Sequence, residues 1–263
     1  MLGFSDMKRS PFLTALALVL AVSSASAGEL PKEEQYKLRG EYLEWRPKLS
    51  SQVGATLSGI TGSLVDFTDD LGIVDKRTYQ VRAALQFAPG HKLRFSYTPV
   101  EYAGDVQVGR TVTILGQSFD FSTRVVSSLK GRLYFGAYEF DIVKTRAGYF
   151  GLLLGAQYFD GGAAFAAPQL RIREEVSPTT PIPVIGATAR GYVGKMSFEG
   201  EFNGLTIGER GHAYELSLGA RFHLTEKLAG SGGYRLAKVQ GHDGTDFLSL
   251  KMGGFTFGLE LSL

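Results

Sequence analysis

Apolar and polar residues alternate with a period of two along most of this chain. The pattern is clearest at the end, where Phe255, Phe257, Leu259, Leu261 and Leu263 alternate with polar or small residues up to the last position. A period of two places the apolar side chains on one face of a β-strand. A strand at the end of a chain needs a partner, and pairing with the first strand would close the sheet into a barrel without edges.

The same alternation predicts ten strands, joined by connections of very different length. The predicted strands cover residues 36–49, 77–87, 92–106, 122–143, 149–165, 182–193, 196–205, 212–224, 228–240 and 246–263. The long connections are 50–76, 107–121 and 166–181, and the tight turns are Pro89-Gly90, 144–148, Gly194-Lys195 and 225–227. Tight turns at one end and long loops at the other are typical of membrane barrels. We therefore predict an all-β fold, a ten-stranded antiparallel up-and-down transmembrane β-barrel, with eight or twelve strands as the alternative.

Two places depart from the alternation. Leu248, Leu250 and Met252 have the opposite parity to the residues that follow the pair Gly253-Gly254. A glycine pair inside a strand predicts a β-bulge, which would absorb such a switch. Trp45 departs from the pattern near the end of the first strand, which predicts a second bulge or an anchor at the membrane interface.

The start of the chain has the features of an export signal. Lys8 and Arg9 precede an apolar run at 12–22, and Ala25-Ser26-Ala27 follows shortly after it. This order predicts cleavage after Ala27, and the run is too short to span a bilayer as a helix. The expected organisation is a cleaved signal peptide at 1–27, a solvated periplasmic lead-in at 28–35, and a single barrel domain at 36–263.

Composition narrows the function classes. The chain has no Cys, so an exported form would hold no disulfide framework. Removal of Asp6, Lys8 and Arg9 leaves it nearly neutral, which argues against a nucleic-acid partner. Alternation alone does not say which face points inward, and a soluble barrel with an apolar interior is the alternative.

The strand pattern and the alternating loop lengths resemble the small outer-membrane β-barrel proteins of Gram-negative bacteria, the class of OmpA- and OmpW-like barrels. The resemblance is one of architecture over 28–263 and rests on no diagnostic motif. Those proteins usually end in an aromatic residue, whereas this chain ends in Leu263. The resemblance implies a place in the cell outer membrane, contact with outer-membrane lipids and lipopolysaccharide, and assembly by the barrel-assembly machinery. It chooses no function, since such barrels include pores, adhesins, anchors, proteases and lipid-modifying enzymes.

If the apolar faces meet lipid, the opposite faces line the lumen with charges of both signs. The predicted lumen residues are Arg82, Arg94, Glu139, Asp141, Glu199, Glu201, Glu215, Arg221 and Arg235. They predict either an internal salt-bridge network or a polar path for small solutes. Ten strands enclose only slightly more space than eight, which side chains can fill. The sequence favours a largely plugged barrel that serves as a structural anchor or loop-display scaffold, with a narrow porin as the alternative.

One pair of aspartates and one His–Asp pair fall in connections that are predicted to lie at the outer rim of the barrel. Asp69 and Asp70 are in the first long loop, and His242 and Asp243 are in the last turn. Outer-membrane proteases with ten strands use such pairs to activate water, so an omptin-like protease or lipid-modifying enzyme is a further alternative. Turn formation explains the same residues, and it is favoured. No catalytic residue, metal site or cofactor is therefore predicted, although Asp66 with its neighbours is a weak calcium candidate.

Overall fold

The computed structural model describes the chain in segments. These are residues 34–54, 56–57, 60–61, 65–66, 68, 70, 72–107, 112–114, 117–119, 124–167, 172–176, 180–206, 211–243 and 246–263. The predicted signal peptide and most of the lead-in therefore lie outside the described residues. Within the described part, no helix is both long and apolar enough to cross a membrane.

Ten long strands form the fold. In chain order they are β1 (Leu38–Gly54), β2 (Thr78–Ala88), β3 (His91–Gln107), β4 (Arg124–Thr145), β5 (Gly148–Ala167), β6 (Thr180–Val193), β7 (Met196–Thr206), β8 (Gly211–His223), β9 (Leu228–Asp243) and β10 (Asp246–Ser262). Each pairs antiparallel with the next, and β10 pairs with β1. The prediction of a ten-stranded antiparallel barrel is confirmed, and the strand boundaries agree with the prediction to within five residues, the largest difference being at the end of β1.

The last strand closes the cylinder as the alternation predicts. Its register with β1 runs without interruption from Arg39 opposite Ser262 to Gly54 opposite Phe247. Below the strands, the backbone amide of Lys37 donates to the carbonyl of Leu263 at 2.7 Å. Because the number of strands is even, β1 starts and β10 finishes at the same end of the cylinder. This is also the end at which the tight turns lie.

The tight turns are the ones predicted. Pro89-Gly90 joins β2 to β3, and Gly194-Lys195 joins β6 to β7. Gly90 and Gly194 have positive φ angles of 79° and 58°, in the left-handed region where glycine has no Cβ penalty. The long connections lie at the opposite end, which we call the loop end, and the end with the tight turns is called the turn end.

The barrel wall is much taller on one side. β4 and β5 have 22 and 20 residues, whereas β2 and β7 have 11 each. Two short strands extend the sheet at the loop end: Val65–Asp66 pairs with β1, and Ile172–Val176 pairs with β5. Two-stranded ribbons also form between Thr56–Leu57 and Ile60–Thr61 and, as the sequence predicts for the second long connection, between Val112–Ile114 and Gln117–Phe119.

The outside of the barrel is apolar and the inside is polar. Leu154, Ile185 and Phe255 are 65%, 63% and 62% exposed on the outer face. Arg190 and Glu139, on inward positions, are 2% and 1% exposed. A soluble barrel has the reverse arrangement, so the structure assigns the faces that alternation leaves open.

Both predicted irregularities are absent. Gly253 and Gly254 pair in continuous register with β1 and with β9, so the predicted bulge there is wrong. Met252 follows the regular alternation of β10 and points into the lumen. An apolar side chain is accommodated there because the lumen near the loop end is itself lined by apolar residues. Trp45 also points inward and is 1% exposed, so neither a bulge nor an interface anchor describes it.

Candidate functional site

The lumen brings all nine predicted lumen residues onto inward-facing positions of the wall. Seven are buried, and the side chains of Arg82 and Arg94 are 13% exposed. Other inward residues of the described chain join them, so that seven cations face eight carboxylates. The cations are Arg39, Arg82, Lys92, Arg94, Arg190, Arg221 and Arg235, and the carboxylates are Glu34, Glu41, Glu139, Asp141, Glu199, Glu201, Glu215 and Glu260.

Arg190 is the centre of the layer nearest the turn end. Its guanidinium donates to both carboxylate oxygens of Glu260, at 3.1 and 2.7 Å, and to Glu199 at 2.7 Å. A forked contact of this kind fixes both partners and is stronger than a single neutral hydrogen bond. Arg221 lies beside it, 2.7 Å from Glu260 and 2.8 Å from Glu41.

Lys92 is the only lysine in this described network, and it is almost fully enclosed. Its ammonium lies 3.0 Å from Glu139, 3.1 Å from Asp141 and 3.1 Å from Glu34. The same ammonium lies 3.7 Å from the centre of the Tyr149 ring. Burial of an ammonium costs free energy unless it has hydrogen-bond acceptors and compensating negative charge. The three carboxylates and the face of the Tyr149 ring supply both.

Arg94 and Arg235 hold the layers nearer the loop end. Arg94 contacts Glu139 at 2.9 Å and Glu201 at 2.7 Å. Arg235 donates twice to Glu215, both at 2.8 Å, and its guanidinium lies 4.3 Å from the centre of the Trp45 ring.

An apolar layer covers the charges on the side of β1, β3 and β10. Leu49, Val100, Tyr102 and Met252 point inward there and are at most 7% exposed. The Tyr102 hydroxyl lies 3.8 Å from the Met252 sulfur. Among the described residues, ion pairs thus fill the lower part of the lumen, and packed apolar side chains lie above them.

Glu34, near the end of the predicted lead-in, lies inside the barrel at the turn end. Glu34 is fully buried, 2.5 Å from Arg39, and accepts a hydrogen bond from the Tyr192 hydroxyl. Burial alone would raise the pKa of this carboxyl, but Arg39, Lys92 and Arg190 outweigh it and lower the pKa to about 2. The expectation of a solvated lead-in is therefore wrong for Glu34, because Arg39, Lys92 and Arg190 hold its carboxylate inside the barrel.

Little space remains among these layers. A cavity lined by Arg39, Arg82, Arg94 and Glu201, among others, leaves about 30 Å³ for the centres of water molecules. A buried water needs about 10–15 Å³ by this measure, so two or three waters fit.

The rim candidates give no assembled site among the described side chains. Asp69 lies outside the described residues. The Asp70 carboxylate accepts a hydrogen bond from the Asp66 amide at 2.9 Å, which is a turn-stabilising contact. The backbones of His242 and Asp243 belong to β9, opposite Phe247 and Asp246, and their side chains are not described.

Sequence reasoning missed several members of the lumen network. Lys92 has the parity of Arg94 on β3, and Glu260 alternates with the apolar outward residues of β10, so strict alternation identifies both. Arg190 has the parity of the buried Thr188 on β6. Arg39 and Glu41 have the same parity as each other in β1. Glu34 carries no such signal, because it precedes the first strand and only the closed barrel reveals where it lies.

Comparison with known proteins gives the fold and no family. No protein-family model and no curated protein sequence matches the chain. Among solved structures, the outer membrane protease OmpT from Escherichia coli superposes with a TM-score of 0.55 at 9% identity, covering 86% of this chain and 96% of that one. The translocator domain of the autotransporter NalP from Neisseria meningitidis gives 0.48 at 10% identity, with 96% and 95% covered. The likeness to OmpT supports the barrel fold alone.

Proposed function

We propose that this chain is an integral outer-membrane β-barrel that does not conduct solutes and acts as a structural anchor or loop-display scaffold. The observation that supports the proposal is the ion-paired lumen, in which Arg190, Lys92 and Arg235 are each at most 2% exposed and lie against carboxylates. Opposite charges at such distances in a confined space pair with each other rather than with passing ions.

The apolar outer surface supports the membrane part of the proposal. Contiguous exposed apolar patches above a few hundred Å² are rare in soluble monomers. Here large apolar residues are exposed on every strand, among them Tyr42 on β1, Phe198 on β7 and Leu218 on β8. In water this surface would drive association, whereas lipid chains would cover it at no cost.

The taller wall supports the display part. β3, β4 and β5 continue above the ion-paired lumen and carry charged residues on their outer face, such as Arg124 with Asp105 at 2.5 Å. A rigid cylinder that raises loops on one side is suited to binding partners outside the membrane. Enzyme activity at the rim is not proposed, because the described contacts of Asp70 serve the turn.

Cell fractionation and a solute-uptake assay test the two parts separately. We expect the protein in the outer-membrane fraction, extractable only with detergent. Liposomes that contain the purified protein should swell in an isotonic sugar solution no faster than protein-free liposomes. Recovery in the soluble periplasm would contradict the membrane proposal, and rapid swelling would favour the narrow porin.

A further inference from the structure

Three lysines gather on the outer surface of β9, β10 and β1, toward the loop end. Lys238 is directly opposite Lys251, and Lys48 is opposite Gly253 on the other side of β10. In antiparallel strands, directly opposed Cβ atoms lie about 4.5–5.5 Å apart, and diagonal neighbours about 7–8 Å. Three ammonium groups therefore share one small arc of the wall.

The hydroxyl of Tyr234 completes this arc. The Tyr234 ring packs edge-on against Phe255, with ring centres 5.4 Å apart. A Cβ atom placed on Gly253 would lie 2.7 Å from the Tyr234 hydroxyl oxygen. The hydroxyl thus occupies the space that a side chain at this position would fill, next to the positions of Lys48 and Lys251.

The three lysines differ from Lys130 and Arg132 in having no ion-paired carboxylate in the described part of the chain. Glu44, on the outer face of β1, lies 2.7 Å from Arg46, and the Asp75 carboxylate accepts a hydrogen bond from the Leu49 amide at 2.9 Å. On β4, Lys130 lies 3.8 Å from Glu101, and Arg132 lies 3.4 Å from Asp160. Among the side chains that the structure describes, no carboxylate forms an ion pair with any of the three lysines. Like charges directly opposite each other destabilise a sheet, and an anion between them would remove that cost.

The lysines lie at the upper boundary of the apolar belt. Along β10, the outward residues from Phe255 to Leu263 are apolar, and Lys251 is the first charged outward residue above them. These eight steps span about 26 Å along the strand, or roughly 20 Å after a tilt of about 40°, which is close to the height of a membrane belt. Lys251 and Lys238 are therefore at the level of lipid headgroups.

From this arrangement we propose that Lys48, Lys238, Lys251 and the Tyr234 hydroxyl bind the phosphate of a lipid headgroup in the leaflet next to the loop end. The inference rests on the proposed membrane location. A phosphate monoester carries about −1.5 to −2 charges and three acceptor oxygens, so it matches three ammonium groups better than a singly charged phosphodiester does. The acyl chains of the same lipid would lie against Phe255 and Phe257 below.

Binding in detergent micelles tests the site without requiring the membrane location to be correct. Purified protein is titrated with lipid A, which carries phosphate monoesters, and with phosphatidylglycerol, a phosphodiester, and bound lipids are counted by native mass spectrometry. We expect saturable binding of lipid A that is tighter than that of phosphatidylglycerol. Lys238→Gln with Lys251→Gln should weaken lipid A binding about 25-fold, because each lysine near an anionic headgroup contributes about fivefold. Tyr234→Phe should give a smaller loss.

Lys130→Gln with Arg132→Gln is the matched control, since it removes two cations from the outer surface of β4 where carboxylates already balance them. We expect unchanged lipid A affinity in this variant. Equal losses in both double variants, or none in either, would overturn the site. Tighter binding of phosphatidylglycerol would overturn the monoester assignment. Retention of inorganic phosphate at millimolar concentration without retention of lipid A would overturn the lipid as its ligand.

Discussion

Several charged side chains in the lumen have more than one partner, and this determines what a single substitution should do. Arg221 contacts Glu41 at 2.8 Å and Glu260 at 2.7 Å, and it is 4% exposed. Glu260 keeps Arg190 if Arg221 is removed, whereas Glu41 keeps only a contact of 3.8 Å to Arg82. The loss should therefore be concentrated on Glu41, which becomes a buried charge without close compensation.

Arg221→Ala should destabilise the folded barrel by about 3–5 kcal/mol, the usual cost of leaving one partner of a buried pair uncompensated. The measurement is the equilibrium free energy of unfolding in urea with lipid vesicles. The control is Arg221→Met combined with Glu41→Leu, which removes both charges and should recover most of the loss. A cost below about 1 kcal/mol for Arg221→Ala would contradict the network.

Glu34, at the turn end of the barrel, makes the stability of the network depend on pH. Its folded pKa of about 2 is lower than the ordinary value of 4.5. The carboxylate therefore contributes stability that is fully present above pH 4.5 and is lost as the pH falls toward 2, a contribution of about 3 kcal/mol. The difference in unfolding free energy between the wild type and Glu34→Gln should shrink over that interval. A difference that stays constant from pH 7 to pH 2.5 would show that Glu34 is not held as an anion.

At the scale of the strand, the outer face of β8 tests which side of the sheet meets lipid. Leu218 and Phe222 are 55% and 50% exposed near the middle and lower part of this strand. Leu218→Arg should cost about 2–4 kcal/mol in vesicles if residue 218 lies near the bilayer centre. Leu224→Arg is the matched control beside the turn end, where the cost should be about 0–1 kcal/mol. Equal costs at the two positions would contradict the proposed depth.

The two ends of the strands make a separate prediction about orientation. The tight turns are expected on the periplasmic side and the long loops outside. A cysteine at Thr61 should react with an impermeant reagent on intact cells, whereas a cysteine at Lys195 should react only after the outer membrane is opened. The chain has no native Cys, so background labelling is absent. Labelling at residue 195 without labelling at 61 would reverse the orientation.

At the scale of the whole molecule, the alternation of residues was sufficient for the strand number, the tight turns and the closure of β10 on β1. It failed where the lumen changes character. In the sequence, Trp45 and Met252 look like breaks in the pattern, because an inward apolar residue resembles a shift of register. The structure shows that the parity continues and that the lumen becomes apolar above the charges.

The candidate site was predictable in type and less so in detail. Inward charges can be read from parity, so a mixed-charge lumen follows from the sequence. The partners cannot, since Arg190 and Glu260 are 70 residues apart and meet only across the closed cylinder. The position of Glu34 cannot be predicted from the alternation, because this residue precedes β1. Its position depends on Arg39, Lys92 and Arg190, which only the folded barrel brings together.

Single-channel recording in planar bilayers tests the closed lumen most directly. Purified wild-type protein is reconstituted beside a porin of known conductance, which shows that the bilayers report open channels. With ion pairs and packed side chains filling the lumen and room for only a few waters, the barrel should give no steady current steps at either polarity. Large, stable and reproducible steps from the wild type would contradict the closed lumen and make the chain a pore.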